Sequence, residues 1–254
     1  MRRRFMMKKA LMSSSIVFMI LASGVMPIWA GEVSISWYGQ ACFLIVTSQG
    51  TEIIIDPVAM GGYAVPENIT PDIVTVSHEH GDHNAVGSVS GDPVVIRGLT
   101  SEAKAYAEID QQIKDVKMYT VATYHDKEQG SQRGLNAVFV FEFDGIRLAH
   151  LGDLGHLLSE EQIDEIGEID ILMIPVGGVA TIDSEEADQV VAQLNPKMIV
   201  FPMHYRTDVV TFMPDTAEDF VAEKEHVQRI DGNRYVLDLD QPPETLEYVV
   251  LNYK

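Results

Sequence analysis

From residue 33 onward, apolar residues cluster in short runs separated by polar turns. Val33–Tyr38, Cys42–Thr47, Glu52–Ile55 and Ile73–Val76 are β-rich, and each reads as a strand. Val94–Arg97 is a fifth, entered through the turn residues Gly91-Asp92-Pro93. Ser101–Ile109 reads as a helix with Ser101 as its N-cap. Further on, Val116–Val121, Ala137–Phe143 and Ile146–Leu151 read as strands, the last two joined by an Asp144-Gly145 hairpin turn. Ser159 with Gln162 forms a capping box that opens a helix. Ile171–Ile174 and Met198–Phe201 are short apolar strands, and Ser184–Leu194 between them is a helix with a Ser cap and acids in its first turn. Thr216–Gln228 is expected to be a charged, exposed helix and Glu247–Leu251 a final strand. Hairpins with interspersed helices suit two packed sheets with helices outside, and periodicity alone leaves other α/β layouts open.

The first 30 residues follow another pattern. Arg2, Arg3, Arg4, Lys8 and Lys9 precede an uncharged stretch, Ala10 to Trp29, which ends at Ala30. Basic, apolar and small in that order predict a signal peptide over 1–30, cleaved after Ala30, and a domain over 31–254 exported to the periplasm or the medium. The uncharged stretch is also near the length of a membrane helix, so an uncleaved anchor is the alternative. Ser13-Ser14-Ser15 and Pro27 shorten its truly apolar part and favour cleavage, which leaves no stable membrane anchor.

Removing that segment deepens an already acidic balance. The whole chain carries 18 Lys and Arg against 38 Asp and Glu; without 1–30 the basic count is 13 and the formal charge −25. Such a surface repels polyanions, which argues against nucleic acid and for a small-molecule substrate. The single cysteine, Cys42, has no internal disulfide partner and sits in an apolar run, where it reads as a buried hydrophobe. Oligomeric state is not legible.

Candidate chemistry concentrates at Ser77-His78-Glu79-His80-Gly81-Asp82-His83-Asn84, directly after the Ile73–Val76 strand. Three imidazoles and a carboxylate within six positions are ligands that zinc accepts. Without a cation they crowd each other with little compensation. The same donors also accept Mn2+ or Fe2+. No GxSxG stretch offers a serine nucleophile.

That stretch resembles the HxHxDH motif of the metallo-β-lactamase superfamily, in the branch of ascorbate-6-phosphate lactonase and N-acyl phosphatidylethanolamine phospholipase D. The likeness extends to Ser36-Trp37-Tyr38-Gly39-Gln40, where the family often has His in place of Gln40. It includes Asp56-Pro57, like the acidic residue that buttresses the ligand loop, and Gly152-Asp153, like the family's bridging carboxylate. His125 and His204 stand where the third and closing histidines belong. The resemblance implies an α/β fold, a four-layer αββα sandwich. It also implies two Zn2+ ions, one on His78, His80 and His125 and one on Asp82, His83 and His204, with Asp153 bridging both.

On that resemblance the chain is expected to be a metal-dependent hydrolase. A metal-activated hydroxide, oriented by Asp82 as the catalytic residue, attacks an ester, lactone or phosphodiester. His156, Thr181, Asp183 and Tyr205 are candidate substrate contacts. His150 is expected to orient a ligand by hydrogen bonding, Glu79 to stand beside the site or on the surface, and His226 to be solvated. Pro175-Val176-Gly177-Gly178 permits tight backbone near the site. Two alternatives stand beside this reading: an exported metallo-β-lactamase, and a protein that binds zinc without catalysis.

Overall fold

A computed structural model describes residues 31–254; the expected signal peptide, 1–30, lies outside the described residues. The strands fall into two large sheets. The first contains β1 (Glu32–Trp37), β2 (Phe43–Val46), β3 (Glu52–Ile55), β6 (Ile73–Val76), β7 (Val94–Arg97) and β15 (Arg234–Asp238), in the order β15-β1-β2-β3-β6-β7. A small hairpin, β4 (Ala59–Met60) with β5 (Tyr63–Ala64), interrupts the chain between β3 and β6. The second sheet contains β8 (Asp110–Ile113), β9 (Val116–Tyr124), β10 (Leu135–Phe143), β11 (Ile146–His150), β12 (Ile171–Pro175), β13 (Ile199–Met203), β14 (Val227–Arg229) and β16 (Glu247–Val250). Its order is β14-β16-β13-β12-β11-β10-β9-β8. Among the described residues there are three α-helices: α1 (Glu160–Ile166), α2 (Ser184–Leu194) and α3 (Ala217–Val221).

The central strands are largely apolar because both of their faces are covered. Phe43, Ile45, Ile53, Ile55 and Ile73 point into the main core, together with Phe139, Phe141 and Phe201 of the other sheet. The alternate residues Leu44, Ile54 and Val74 point the other way, into a second cluster with Val58, Tyr63, Val65, Val210 and Met213. The architecture is the αββα sandwich. On the first sheet's outer face, the covering layer is reduced to the β4–β5 region, a 3-10 turn at Val86–Ser88 and the Val209–Met213 loop. Among the described residues no helix is long and apolar enough to cross a membrane.

Several expected elements are confirmed in detail. Asp144 and Gly145 both have positive φ in the β10–β11 hairpin, as a type I′ turn requires. Ser159 and Gln162 form a reciprocal capping box on α1. Three expectations need correction. Ser101–Ile109 is not a helix. Its backbone pairs locally instead, with Ala107 N–H donating to Gly98 O and Thr100 N–H to Ala105 O, and Ala103 has positive φ. Its alanines offer no broad apolar face to bury, so helix propensity has nothing to anchor it. The expected helix over Thr216–Gln228 stops at Val221, and Val227–Arg229 instead pairs parallel to β16. The charged stretch between them has no apolar stripe. Helix α2 is capped by Asp183 rather than Ser184, whose hydroxyl and N–H both donate to Asp215.

Candidate metal centre

The site lies where β3, β6, β11 and β13 end and the chain turns. Three of its residues hold left-handed backbone without being glycine: Gln40 (φ 49°), Asp56 (φ 45°) and His204 (φ 50°). Such conformations cost on the order of 1–2 kcal/mol each and persist where the surroundings enforce them. Here the enforcement is visible. His204 N–H donates to Gln40 O, the Trp37 indole donates to the same carbonyl, and Asp56 N–H donates to Thr75 O.

Asp56 organises the ligand loop from beneath. It is fully buried, and its carboxylate accepts Ser77 N–H at 2.7 Å and Ser77 Oγ–H at 2.5 Å. It also meets His83 Nδ1 at 2.9 Å. A carboxylate only accepts, so His83 Nδ1 donates and Nε2 is left with its lone pair free. Ser77 Oγ spends its proton on Asp56 and sits 3.0 Å from His78 Nδ1. It therefore accepts from that nitrogen and frees His78 Nε2 in the same way. One carboxylate thus sets the ligand tautomer of two histidines.

The freed nitrogens converge on Asp153. Its Oδ2 lies 3.0 Å from His125 Nε2, 3.2 Å from His83 Nε2, 3.3 Å from His204 Nε2 and 3.7 Å from His78 Nε2. Asp82 Oδ2 lies 3.7 Å from His83 Nε2 and 3.9 Å from His204 Nε2. His78 Nε2, His83 Nε2 and Asp153 Oδ1 are buried without a hydrogen-bond partner among the described residues. Lone pairs facing a carboxylate at these distances repel unless cations lie between them. Two ligands of one tetrahedral zinc stand roughly 3.4 Å apart, given zinc–nitrogen bonds of about 2.0–2.1 Å. The separations bracket that value, so the residues fit the metal.

Two ligand groups emerge, each with its donor atoms within 4.8 Å of one another: His78, His80, His125 and Asp153, and Asp82, His83 and His204. A third grouping, Asp56 with His78 and His83, is the tautomer-setting network described above. Burial holds His78 well below the ordinary histidine range, and it lowers His80 and His204 too, which suits neutral ligands. Burial also opposes protonation of His83, but Asp153 and Asp56 outweigh it and hold that ring well above its usual value. Burial pushes Asp153 up, and His204, His83 and His125 more than offset this and keep it ionised.

Supporting residues explain why Asp153 points inward. Asn136, fully buried in β10, accepts Asp153 N–H through Oδ1 and donates to Leu151 O and Thr123 Oγ1. Gly152 has φ 55°, and a Cβ there would stand 2.3 Å from Asn136 Oδ1. Gly177 is confined in the same way, since its Cβ would lie 2.2 Å from His204 O. His150 bonds Ala41 O through Nε2 and accepts Gly152 N–H through Nδ1, so it holds the turn rather than facing the ligands. Glu79 pairs with Arg97, and His226 is exposed in a loop. Gln40 is a site residue whose role the sequence left undefined. Its Nε2 lies 2.9 Å from Asp82 Oδ2 and 3.2 Å from His204 Nε2, and its Oε1 is buried without a partner. Asn136 was missed altogether, though a lone Asn inside an apolar strand is a signal.

The centre opens to solvent on one side, where His80 is exposed and the Asp82 side chain is 31% accessible. A cleft of about 360 Å³ reaches His125 and is walled by Thr181 and Asp183. The other two candidate contacts lie elsewhere. His156 Nε2 accepts Tyr124 N–H and its Nδ1 meets Leu157 O, so the ring staples two backbone segments in a neighbouring groove. Tyr205 is buried against Trp37 with its hydroxyl on Leu251 O, on the far side of the strand end.

The β-lactamase superfamily domain matches residues 34–204, a span that contains all seven candidate ligands. A UPF0173 metal-dependent hydrolase of Thermococcus onnurineus is 29% identical over 236 residues, which is 85% of this chain and 99% of the relative. Its counterpart in Thermococcus kodakarensis is 30% identical over 241 residues, with the same coverage. A crystal structure from Thermotoga maritima, described as a candidate Zn-dependent hydrolase of the metallo-β-lactamase superfamily, is 37% identical with a TM-score of 0.70. The match covers 86% of this chain and 98% of that one. With its fold, its ligand loop and these relatives in agreement, the chain belongs to the metallo-β-lactamase superfamily.

Proposed function

We propose that the chain is an exported metal-dependent hydrolase that holds two zinc ions and cleaves an ester, lactone or phosphodiester bond of a small molecule. The observation that carries this reading is the convergence of four imidazole nitrogens on one buried Asp153 oxygen. His78, His80 and His125 would hold one ion, Asp82, His83 and His204 the other, and Asp153 would serve both. A pair of such ions supplies an activated water and stabilises the charge that develops on the substrate oxygen.

The chain's own residues supply the rest. Gln40 holds Asp82 through Oδ2, which leaves Oδ1 without a hydrogen-bond partner among the described residues, where it would orient the attacking water and take its proton. Asp56 and Ser77 keep His83 and His78 in the ligand tautomer throughout. The exposed side at His80 and Asp82 admits the substrate, and the acidic surface disfavours nucleic acid. The basic, then apolar, N-terminal segment supports export.

The test is metal analysis of the purified protein, followed by a screen of the zinc-loaded enzyme against lactones, phosphodiesters, thioesters and β-lactams. Two ions per chain and turnover of a member of the first two classes are expected. His80→Ala and Asp153→Ala should each lose metal or turnover with the fold retained. Wild-type behaviour in both variants would sink the assignment.

A further inference from the structure

We propose that Arg133 selects the substrate by binding an anionic group on it, a carboxylate or a phosphoryl, at the cleft that leads to His125. Because that anion belongs to the substrate, Arg133's role rests on the hydrolase reading above.

The first observation is an imbalance of ion pairs. Of the 13 Lys and Arg side chains in 31–254, 11 are paired with a carboxylate among the described residues. In so acidic a chain that is expected, since every cation has acids within reach. Arg133 and Arg234 are the exceptions. Arg234 lies on the edge strand β15, opposite Ser36. Arg133 lines the cleft together with His125, and among the described residues its guanidinium has neither a hydrogen bond nor an ion pair.

The second observation is that the cleft's acids are already engaged. Asp126 accepts backbone N–H groups from Glu128, Gly130, Gln132 and Arg133. Asp183 caps α2 by accepting Glu186 N–H, and Glu186 pairs with Lys127. Glu128 is the acid of the lining that remains free, against the free Arg133. Asp126 is a structural anchor of the loop. Its four bonds tie the β9–β10 loop into one conformation directly after His125, and His125 N–H closes that loop on Gly134 O. The loop thereby fixes where the exposed Arg133 side chain leaves the backbone, and its guanidinium is free to meet a ligand.

The third observation is an apolar residue in the same lining. Val179 is β-branched, has φ 60° and is 63% exposed. A valine held in that strained conformation without burial is unexplained by packing. It gives the cleft an exposed apolar side chain among its polar lining. Arginine is suited to carboxylate and phosphoryl oxygens because its planar fork can bond two at once. The fitting substrate is a small molecule with an anionic end and an apolar portion, its scissile group reaching the ligand cluster beside His125.

The experiment compares zinc-loaded wild type, Arg133→Ala and Arg133→Lys on two chromogenic esters that differ in one charge: mono-4-nitrophenyl glutarate and 4-nitrophenyl valerate. Arg133→Ala should raise KM for the charged ester about tenfold or more, leave its kcat near wild type, and leave the neutral ester unchanged. Arg133→Lys should recover part of the loss. Equal effects on both esters, or none on the charged one, overturn the proposal. Calorimetric titration with glutarate and with phenyl phosphate separates the two sources of anion. At least one should bind wild type and lose about tenfold in Arg133→Ala; no loss for either, or no binding to wild type, overturns it. If wild type cleaves neither ester nor any compound of the wider screen, the hydrolase reading fails. The calorimetry then decides Arg133 on its own.

Discussion

At the scale of single residues, the site depends on groups that never touch substrate. Asp56 is the clearest. Asp56→Asn conserves volume but turns one acceptor oxygen into an NH2 facing either Ser77 N–H or both Ser77 Oγ–H and His83 Nδ1–H. A buried donor facing a donor costs about 1–3 kcal/mol, and losing the partner that orients a metal-binding histidine costs roughly 10–100-fold in affinity. The expected outcome is a lower Tm and metal binding weakened by that factor in a chelator competition; unchanged affinity would contradict the tautomer argument. Gly152→Ala should cost about 2–3 kcal/mol, because it adds a Cβ 2.3 Å from Asn136 Oδ1 at a positive φ. Denaturant titration reads it directly. Cys42 is inert for the opposite reason: burial pushes its thiol up to about 12. Folded protein should not react with a thiol reagent at pH 8, and unfolded protein should react fully.

At the scale of elements, the β9–β10 loop has a pH dependence with a definite sign. Burial raises the Asp126 carboxyl, but four backbone donors outweigh it, so its value in the folded protein lies below the usual carboxylate range. A depressed folded pKa contributes stability above the unfolded value, about 3.9, and loses it as pH falls through the folded one. Metal-free Asp126→Asn should therefore be less stable than metal-free wild type at pH 6, and the gap should shrink as pH falls below the unfolded value. A gap independent of pH would mean that the loop does not depend on the charge. The same scale explains what was legible in sequence. The strands β2, β3 and β6 announce themselves because both faces are buried and, Glu52 and Thr75 apart, every position is apolar. Strands β8, β14 and β15 do not, since these short strands lie at or next to sheet edges with most side chains in water. The Ser101–Ile109 helix was suggested by composition and cancelled by the absence of a face to pack.

At the scale of the molecule, the ligands arrive from positions 78 to 204, and their legibility follows their distance along the chain. The His78–His83 loop is contiguous, so spacing alone exposes its chemistry. His125, Asp153 and His204 were assignable only by resemblance, because strand ends far apart in sequence meet through sheet order. His156 and Tyr205 were misplaced for that same reason: the direction a side chain takes after a strand end is decided by neighbours that sequence does not display. Convergence across so much of the chain ties metal to global stability. An ion that binds the folded state alone stabilises it by about 2.7 kcal/mol at a concentration 100 times its Kd. For a domain of this size 1 kcal/mol moves Tm by about 2–4 °C. Chelation should therefore lower Tm by about 5–11 °C for one ion at that occupancy, and more for two. Asp153→Ala should erase most of that difference, since it removes the carboxylate on which both ligand groups converge, whereas Arg133→Ala should preserve it. A metal-independent Tm in wild type would mean that the buried imidazoles and Asp153 are reconciled by protons alone, and the case for a metal centre would fall with it.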